Sequence, residues 1–506
     1  MNPVGGPSST GTLSSGSVAS HGSSPRPLAD VVARVHDHRL RGDPSVRVTD
    51  VVYRSTDAGP GALFCCIRGA QLDGHDFAQD ATSRGAASLL VERWLPLDVA
   101  QVLVPSVRAA IGPVAAEVFG RPSDRLTMIG ITGTNGKTTT SFLLESVLRG
   151  FGTTPGVIGT TGVRVDGRPS PLPRTTPEAP DLQRLLATMV AEDVGAVAME
   201  VSSHGLQQHR VDGIRFRAAV FTNLSQDHLD YHASMQEYFE AKARLFTRAM
   251  CDVGVVNHDS AEGRRIAEPG LPKLTYGIDD GADVRATDVR TDADGIRFVV
   301  DGRYEVRSSL RGLFNVENCL AAFATAKALG IDADVAIHGI EAVRGVPGRV
   351  ETVEEGQPFL VMVDYAHTPE GIRNVIAAAR PLTFGRVIVV FGCGGDRDRS
   401  KRPLMGEAAT SLADLSIVTS DNPRSEDPLA IIAEIEPGAK AGGGDYVVEP
   451  DRRAAIRYAA RQAAEGDVVV IAGKGHESGQ EFADRTVPFS DRDVAAEELR
   501  ALREAS

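Results

Sequence analysis

A glycine-rich stretch has the residue types that bind the phosphates of a nucleotide: Gly133-Thr134-Asn135-Gly136-Lys137-Thr138-Thr139. Glycine lets backbone N–H groups turn inward onto phosphate oxygens. Lys137 can reach the β- and γ-phosphates, and the Thr138 hydroxyl can bind Mg²⁺. The stretch departs from the common GxxxxGK[ST] pattern, because Ile131 stands where the first glycine would lie. The residues predict a variant phosphate-binding loop, with an incidental glycine turn as the alternative.

A second group of polar residues follows two apolar runs. Glu200 ends the run GAVAME, and an acid at the tip of a strand beside a phosphate loop can hold Mg²⁺ directly or through water. The next apolar run leads into FTNLSQDHLDYH, which offers Asn223, Asp227, His228, Asp230 and His232. A solvated polar turn is the alternative for this block. Lys242 follows in EYFEAKARLF, and taken alone it is interpreted as a surface lysine on a helix.

Four apolar runs near the end of the chain each lead into a polar cluster. The runs are FLVMVDY (359–365), RVIVVFG (386–392), LSIVTSD (415–421) and DVVVIAG (467–473). Nearly continuous apolar character indicates strands buried on both faces, as in a doubly wound sheet. The clusters are DYAHTPE, GCGGDRDRSKRP, DNPRSEDP and GKGHE. Since ligands bind outside the carboxyl ends of such strands, we expect these four loops to face one crevice.

The elements around the phosphate loop support its interpretation. The strand LTMIGITG (126–133) precedes it, and TTTSFLLESVLRGF follows with apolar residues at helical spacing. GAVAMEV (195–201), AAVFTN (218–223) and CDVGVVN (251–257) are further strand candidates. Strands that alternate with helices predict βαβ units and a mainly parallel sheet.

The length of 506 residues predicts about three domains at ~150 residues each. We expect an α/β protein with a small N-terminal α/β domain, a central P-loop ATPase-type parallel sheet and a C-terminal Rossmann-like doubly wound sheet. The predicted segments are a disordered Gly/Ser-rich tail (1–28) and domains at 29–121, 122–347 and 348–506.

Composition excludes several classes of protein. The net charge of −13 argues against binding to nucleic acid, because proteins that bind nucleic acid have a basic surface. An acidic protein can still bind a small anion through a local group of backbone N–H donors. No segment approaches the ~18 apolar residues of a membrane span, and the N-terminus does not resemble a signal peptide. Five scattered cysteines fit reduced thiols. The sequence therefore predicts a cytoplasmic protein.

The blocks GTNGKTT, MEVSSHGL, FTNLSQDHLDYH, GLFNVENCLAA and DYAHTP together resemble the Mur ligase family, from about residue 46 to the end of the chain. The resemblance implies UDP-binding, ATPase and amino-acid-binding domains. It implies ATP-dependent addition of meso-diaminopimelate to UDP-MurNAc-L-Ala-D-Glu through an acyl phosphate, since DNPR (421–424) resembles the signature of the diaminopimelate-adding type. These substrates are small molecules, and the protein is expected to be a monomer.

The resemblance also implies the residues that bind ATP and metal. Glu200 and His228 match Mg²⁺ ligands, with Thr138 near the first ion. Lys242 matches a lysine carried as an N-carboxylated side chain, which replaces the surface interpretation and would hold a second Mg²⁺. Lys137, Glu200, His228 and Lys242 form the expected catalytic set. The expected ATP site consists of Gly133, Thr134, Asn135, Gly136, Lys137, Thr138, Thr139, Asn315, Asn318, Arg349, Asp364 and His367.

Two further sets follow from the resemblance. The chain reads Arg54-Ser55-Thr56 where family members often read DSR. Contacts to the nucleotide sugar-peptide are expected from Tyr53, Ser55, Ala70, Gln71, Leu72, Thr175, Thr176, Ser202, Gln208 and Arg210. Contacts to diaminopimelate are expected from Arg397, Asp421, Asn422, Pro423, Arg424, Gly473 and Glu477.

The chemistry of the second set suits a diamino diacid. A guanidinium can pair with the distal carboxylate through two hydrogen bonds, and Glu477 or Asp421 can accept the ammonium. L-Lysine lacks that carboxylate, so Arg424 would face no partner. Asp-Asn-Pro is also strong turn chemistry, and such a turn would aim Arg424.

Four alternatives remain at this point. A lysine-adding ligase and a folylpolyglutamate-type ligase share the ATP core, but DNPR and RTTPE speak against both. A P-loop NTPase switch that binds a protein partner would not need the GGDRD, DNPR and GKGHE loops. An inactive binding protein is disfavoured because Lys137, Glu200, His228 and Lys242 are all present.

Overall fold

A computed structural model describes residues 24–69, 71–292 and 294–505. The chain forms two compact units. The first contains the described residues up to Leu126 together with Gly162–Val194 and Gln208–Ile214, and the second contains Thr127–Thr161, Gly195–Gln207 and the described residues from Arg215 onward. Two internal segments thus belong to the N-terminal unit, so this unit is not one continuous stretch of the sequence.

Regular secondary structure occurs within the segment predicted to be a disordered tail. Arg26–Pro27 forms a short strand antiparallel to Arg47–Val48, and the helix Leu28–Val32 follows with Leu28 fully buried. The predicted tail boundary at residue 28 is therefore too late, because Leu28 belongs to a hydrophobic core. Residues 1–23 of the predicted tail lie outside the described residues.

The first unit contains a five-stranded sheet. Four neighbouring strands are parallel, and the edge strand Arg39–Arg41 is antiparallel to its neighbour. In spatial order the strands are Arg39–Arg41, Ala100–Leu103, Ser88–Val91, Ala62–Cys65 and Asp50–Val52. The unit also contains the hairpin Gly162–Val165 with Arg168–Ser170, and the helices Ala78–Ser83, Val107–Val118 and Ala179–Ala191.

The second unit begins with a mainly parallel sheet, as predicted. Its strands in spatial order are Pro155–Gly159, Ala196–Glu200, Thr127–Thr132, Phe216–Phe221, Cys251–Asn257, Lys273–Gly277, Val284–Asp292, Gly295–Val300 and Tyr304–Ser308. The last two strands run antiparallel to their neighbours. The helices are Lys137–Gly150, Ser203–Gln207, Met235–Ala243, Ala261–Arg265, Leu313–Ala328 and Ala333–Glu341. Leu143 and Leu320 from two of these helices share one core with the sheet residues Ile129 and Val220.

The second unit also contains the predicted doubly wound sheet. Its strands in spatial order are Glu351–Thr352, Leu360–Asp364, Val468–Ala472, Val387–Phe391, Leu415–Val418 and Tyr446–Val448, all parallel except the first. Val387 and Val389 pack in one core, whereas Ile388 and Val390 pack in another, so both faces of the sheet are buried. The helices are Pro369–Ala379, Lys401–Leu412, Pro428–Gly442, Arg452–Gln462 and Asp491–Ala505, and the hairpin Gly479–Glu481 with Thr486–Pro488 follows the last long strand.

The cysteines and the helices bear on two expectations from the sequence: reduced thiols and the absence of a membrane span. All five cysteines are unpaired and buried. Across residues 24–69, 71–292 and 294–505, no helix combines the length and apolar character that crossing a bilayer requires.

Candidate active site

The phosphate loop follows the central strand Thr127–Thr132 and ends where the helix Lys137–Gly150 begins. Gly133 and Gly136 have φ angles of 151° and 85°, which disfavour other residues. A Cβ at Gly136 would overlap Asn318 Oδ1, and one at Gly133 would overlap Thr222 Oγ1. Both glycines are thus required for the loop to pack against its neighbours while its N–H groups stay at the helix start.

Hydrogen bonds hold the loop in this shape. Lys137 Nζ donates to the carbonyl oxygens of Gly133 and Thr134, each at 2.8 Å. Two residues after the neighbouring strand also bond the loop. Thr222 Oγ1 donates to Asn135 O at 2.6 Å, and Asn223 Oδ1 accepts from Asn135 N at 2.9 Å. Burial lowers the pKa of Lys137. The predicted Lys137 therefore lies within the loop that it was assigned to.

Glu200 ends the strand beside the loop strand, in register with Ile131. Its carboxylate is fully buried and accepts from Thr160 N at 3.1 Å and from Thr160 Oγ1 at 2.9 Å. Two donors from one residue fix the orientation of the carboxylate. A Cβ at Gly159 would overlap Glu200 Oε1, so glycine is needed there too.

Lys242 is buried, which contradicts the surface position expected from EYFEAKARLF. Its Nζ donates to Gly133 O at 2.9 Å and lies 4.3 Å from the ring centre of Tyr238. In the described part of the chain, no carboxylate forms an ion pair with this amine. Burial, and next the charge of Lys137, lower the pKa of Lys242 well below its usual value. The helix Met235–Ala243 therefore delivers an amine directly to the phosphate loop.

His228 lies in the FTNLSQDHLDYH segment with a left-handed φ of 56°. Its Nε2 is 3.4 Å from Asp227 Oδ2, and burial lowers the pKa of His228 to about 3. Asp227 is itself buried and forms ion-pair contacts with Lys401 Nζ at 3.2 Å and His367 Nε2 at 3.5 Å. Burial opposes ionisation of Asp227, but Lys401 and the histidines outweigh it and hold its pKa well below the usual value. The predicted ATP residue His367 thus contacts Asp227, and the sequence analysis missed Lys401.

The residues expected to bind Mg²⁺ do not form a dense cluster of metal ligands. Over the described ranges, no three His, Cys, Asp or Glu side chains come together as a metal site. Mg²⁺ commonly keeps several waters and uses one or two carboxylates plus substrate phosphates, so it does not need such a group. The oxygen atoms of Glu200 and Thr138 suit this hard cation, whereas the imidazole of His228 suits it less well.

A cavity of about 330 Å³ opens beside the phosphate loop. Its polar lining includes Asn135, Thr138, Asn318, Arg349 and Asp364 from the predicted ATP set. Asn135 Nδ2 and Arg349 Nε are buried donors that have no hydrogen-bond partner among the described residues. Both residues also line the cavity, whose polar side chains suit an anionic or hydrogen-bonding ligand. Lining residues that the sequence analysis did not assign include Phe314, Glu317, Glu370, Asn374 and Leu382.

Several ATP-set residues are fixed by one another. Asn318 Nδ2 donates to Asn315 Oδ1 at 2.8 Å, and Arg349 Nη2 donates to Thr138 Oγ1 at 3.1 Å. Asp364 accepts from Val350 N at 2.8 Å and from Ala366 N at 2.7 Å. Burial raises the pKa of the Asp364 carboxyl. Thr139 is buried on the first turn of the loop helix.

The loops after the strands of the doubly wound sheet come together. Gly473 has a φ of 121°, and a Cβ there would lie 2.5 Å from Asp421 Oδ2. Asn422 Nδ2 donates to Glu477 Oε2 at 2.8 Å. Arg424 Nη1 donates to Gly395 O at 2.8 Å. The DNPR loop therefore touches both the GKGHE and the GGDRD loops.

Arg424 and Arg397 differ in how they are held. Arg424 has a left-handed φ of 52°, and its Nε lies 2.9 Å from Glu481 Oε2. Arg397 is exposed and donates to Asp396 O at 3.1 Å. Close packing holds the turn before Arg424, because a Cβ at Gly395 would overlap Pro423 O. The turn expected from Asp-Asn-Pro thus carries Arg424 on a strained, well-packed backbone.

The residues expected to bind the nucleotide sugar-peptide lie mostly in the first unit. Tyr53 Oη donates to Asp181 Oδ2 at 2.7 Å, and burial followed by this bond raises the pKa of Tyr53. Ser55 begins a short 3₁₀ helix. Gln71 and Leu72 are exposed, Thr175 is half-buried, and Ala70 lies outside the described residues. Ser202 belongs to the second unit, where its Oγ accepts from Gly205 N at 3.0 Å.

A buried carboxylate that the sequence analysis missed organises this set. Arg210 donates to Thr176 O at 3.0 Å and to Gln208 Oε1 at 2.6 Å. Glu178 forms ion pairs with Arg108 at 2.6 Å, Arg174 at 2.9 Å and Arg210 at 3.1 Å. Its place in RTTPE, two residues after Thr176, was the only signal in the sequence.

Comparison of the sequence with models of known protein families identifies the family. Three family models match: "Mur ligase family, catalytic domain" over residues 47–119, "Mur ligase middle domain" over 131–326, and "Mur ligase, glutamate ligase domain" over 348–475. The chain thus belongs to the Mur ligase family.

Individual relatives cover almost the whole chain. The UDP-N-acetylmuramoyl-L-alanyl-D-glutamate--2,6-diaminopimelate ligase of Geobacillus thermodenitrificans is 46% identical over 473 residues, which is 91% of this chain and 96% of the relative. The enzyme with the same name from Solibacter usitatus is 45% identical over 485 residues, 94% and 96% of the two chains. A solved structure of a UDP-N-acetylmuramoyl-L-alanyl-D-glutamate--2,6-diaminopimelate ligase is 34% identical with a TM-score of 0.69, and the match covers 95% of this chain and all 100% of that one.

Proposed function

We propose that this protein is an ATP-dependent ligase that adds meso-diaminopimelate to UDP-MurNAc-L-Ala-D-Glu. The contact that supports this most strongly joins the GKGHE loop to the phosphate site. His476 Nε2 lies 3.3 Å from Thr160 O, and the side chain of Thr160 bonds Glu200. A ligase must bring an amino-acid site close to the γ-phosphate, whereas a nucleotide switch has no such need.

The reaction requires a carboxylate to become an acylating agent. Transfer of the γ-phosphoryl of ATP to the D-Glu side-chain carboxylate gives an acyl phosphate and ADP. The amine of diaminopimelate then attacks the carbonyl carbon, and the tetrahedral intermediate expels phosphate. Lys137 and the N–H groups of the Gly133–Thr139 loop neutralise charge on the transferred group, so the protein contributes mainly position and electrostatics.

Glu200 and Thr138 are the residues that would hold Mg²⁺, with His228 as the expected third ligand. The cation would supply charge neutralisation to the phosphates. Lys242 is the residue that would carry the carbamate. A neutral amine is the form that reacts with CO₂, and the buried position of Lys242 with its lowered pKa favours that form. The anionic product would be a further oxygen ligand beside Gly133.

The first unit supplies the groups that would bind the nucleotide sugar-peptide. Glu178 pairs with Arg210, which in turn donates to the carbonyl of Thr176. A guanidinium suits both carboxylates and phosphates. Tyr53 and Ser55 would contact the uridine side. Because its substrates are nucleotides and soluble precursors, we infer that the protein works in the cytoplasm, and we infer a monomer.

Phosphate release from ATP tests this function. The purified protein is assayed with ATP, UDP-MurNAc-L-Ala-D-Glu and meso-diaminopimelate, and then with each substrate omitted in turn. We expect phosphate only with all three present, since the amine completes the turnover. Lys137→Ala is the negative control. Rapid phosphate release from ATP alone would instead indicate a nucleotide switch.

A further inference from the structure

A buried lysine without an assigned role lies among the amino-acid loops. Lys474, in GKGHE, is fully buried. Its Nζ donates to Asn422 Oδ1 at 2.8 Å and to Glu477 Oε2 at 3.0 Å, and Asp421 Oδ1 lies 3.9 Å away. All three acceptors belong to the set expected to bind diaminopimelate. Lys474 thus contacts three residues of this set and is itself inaccessible to solvent.

The ammonium of Lys474 determines the orientation of the Asn422 amide. Asn422 Oδ1 accepts from Lys474 and from Glu481 N at 3.1 Å, while Nδ2 donates to Glu477 Oε2 at 2.8 Å. Because an ammonium can only donate, the oxygen end of the amide must face it. The NH₂ end is therefore left to hold Glu477.

Glu477 is held through one oxygen. Lys474 and Asn422 both bond Oε2, and Oε1 receives no hydrogen bond from any residue that the structure describes. The side chain is 29% exposed. A carboxylate fixed by one oxygen keeps the other for a ligand, and a ligand ammonium is the matching donor.

Charge makes the three groups depend on one another. Lys474 Nζ lies 3.0 Å from Glu477 Oε2 and 3.9 Å from Asp421 Oδ1, so one ammonium attracts both carboxylates. A buried ammonium is tolerated only with such partners. Removing Lys474 would therefore release the Asn422 amide and the Glu477 carboxylate together.

We infer that Lys474 is a positioning residue for the incoming diamino acid: it orients Asn422 and Glu477 so that Glu477 Oε1 receives an ammonium group of the substrate. This inference rests on the proposed function. Lys474 does not touch the substrate; it acts through Asn422 and Glu477.

Steady-state kinetics of Lys474→Met and Lys474→Gln test the inference, with each of the three substrates varied in turn. We expect Lys474→Met to raise KM for meso-diaminopimelate by about 10- to 100-fold, the usual effect of losing hydrogen bonds to charged groups, with unchanged KM for ATP. Lys474→Gln keeps a donor without the charge and should recover part of the loss. Lys440→Met, at a 68% exposed lysine of the helix Pro428–Gly442, is the matched control and should behave like the unaltered protein.

The possible outcomes distinguish failure of the positioning role of Lys474 from failure of the proposed function. If the unaltered protein couples diaminopimelate but both variants keep its KM, Lys474 has no positioning role and the proposed function stands. An equal rise in KM for all three substrates, with a lower unfolding temperature, would mean a merely structural role and would also overturn the inference. If Lys474→Met does not fold, Lys474→Gln alone decides between these results. Failure of the unaltered protein to use diaminopimelate would overturn the proposed function itself.

Discussion

At the scale of single residues, two lysines meet at the phosphate loop, where Lys137 Nζ and Lys242 Nζ both donate to the carbonyl oxygen of Gly133. The phosphate loop around Lys137 could be recognised because glycine spacing and a following helix are local features. The burial of Lys242 could not, because EYFEAKARLF has polar residues on several sides and its partner, the carbonyl of Gly133, is 109 residues away. Lys401 and Lys474 escaped for a related reason, because Lys401 contacts Asp227 and Lys474 contacts Asn422, which lie on other loops.

Replacement of Lys242 tests its expected modification. Lys242→Ala should lower kcat by about 100-fold, comparable to the loss of one group that stabilises charge in a transition state. Added formate or acetate should restore part of the activity, because a small carboxylate can fill the place of the carbamate. Lys273→Ala, at an exposed lysine of the same unit, should match the unaltered protein with or without these anions. Full activity of Lys242→Ala without added carboxylate would exclude the carbamate.

At the scale of elements, apolar runs were sufficient to predict the buried strands. Leu360–Asp364, Val387–Phe391, Leu415–Val418 and Val468–Ala472 all fall within predicted runs. The strands Val284–Asp292 and Gly295–Val300 were not among the predicted strands. In Val284–Asp292 polar residues outnumber apolar ones and three residues are exposed, whereas Gly295–Val300 is mostly apolar and buried but short. Their antiparallel pairing depends on neighbours in space, which a single pattern along the chain does not reveal.

Two glycines at the ends of one helix separate backbone strain from crowding. Gly136 precedes the helix Lys137–Gly150 and Gly152 follows it, with nearly equal φ angles of 85° and 86°. A Cβ at Gly136 would overlap Asn318 Oδ1, whereas a Cβ at Gly152 meets no described atom within 4 Å. Gly152→Ala should therefore show only the left-handed backbone cost, about 1 kcal/mol of unfolding free energy.

Gly136→Ala should show the same backbone cost and a weaker affinity for ATP, by about tenfold or more, because the phosphate loop must shift. Calorimetric titration with a non-hydrolysable ATP analogue measures the affinity, and denaturant unfolding measures the stability. Equal ATP affinity in the two variants would show that the Gly136–Asn318 contact does not shape the nucleotide site.

At the scale of the whole molecule, the doubly wound sheet and the mainly parallel sheet were predictable, but the division into units was not. Gly162–Val194 and Gln208–Ile214 belong to the N-terminal unit although both segments follow the phosphate loop in sequence. Glu178 explains part of this assignment, since it pairs with Arg108 of the helix Val107–Val118 as well as with Arg174 and Arg210. Such pairings join distant segments and leave no local pattern.

The chain is a ligase that joins a diamino diacid to a nucleotide-sugar peptide. The decisive experiment is mass spectrometry of the product, with meso-diaminopimelate, L-lysine and L-ornithine offered together at equal concentration. We expect one product, heavier than UDP-MurNAc-L-Ala-D-Glu by the mass of diaminopimelate minus water. Arg424→Ala should lose this preference, because no guanidinium would pair with the distal carboxylate. A lysine adduct in equal or greater amount from the unaltered protein would show that the site does not select diaminopimelate.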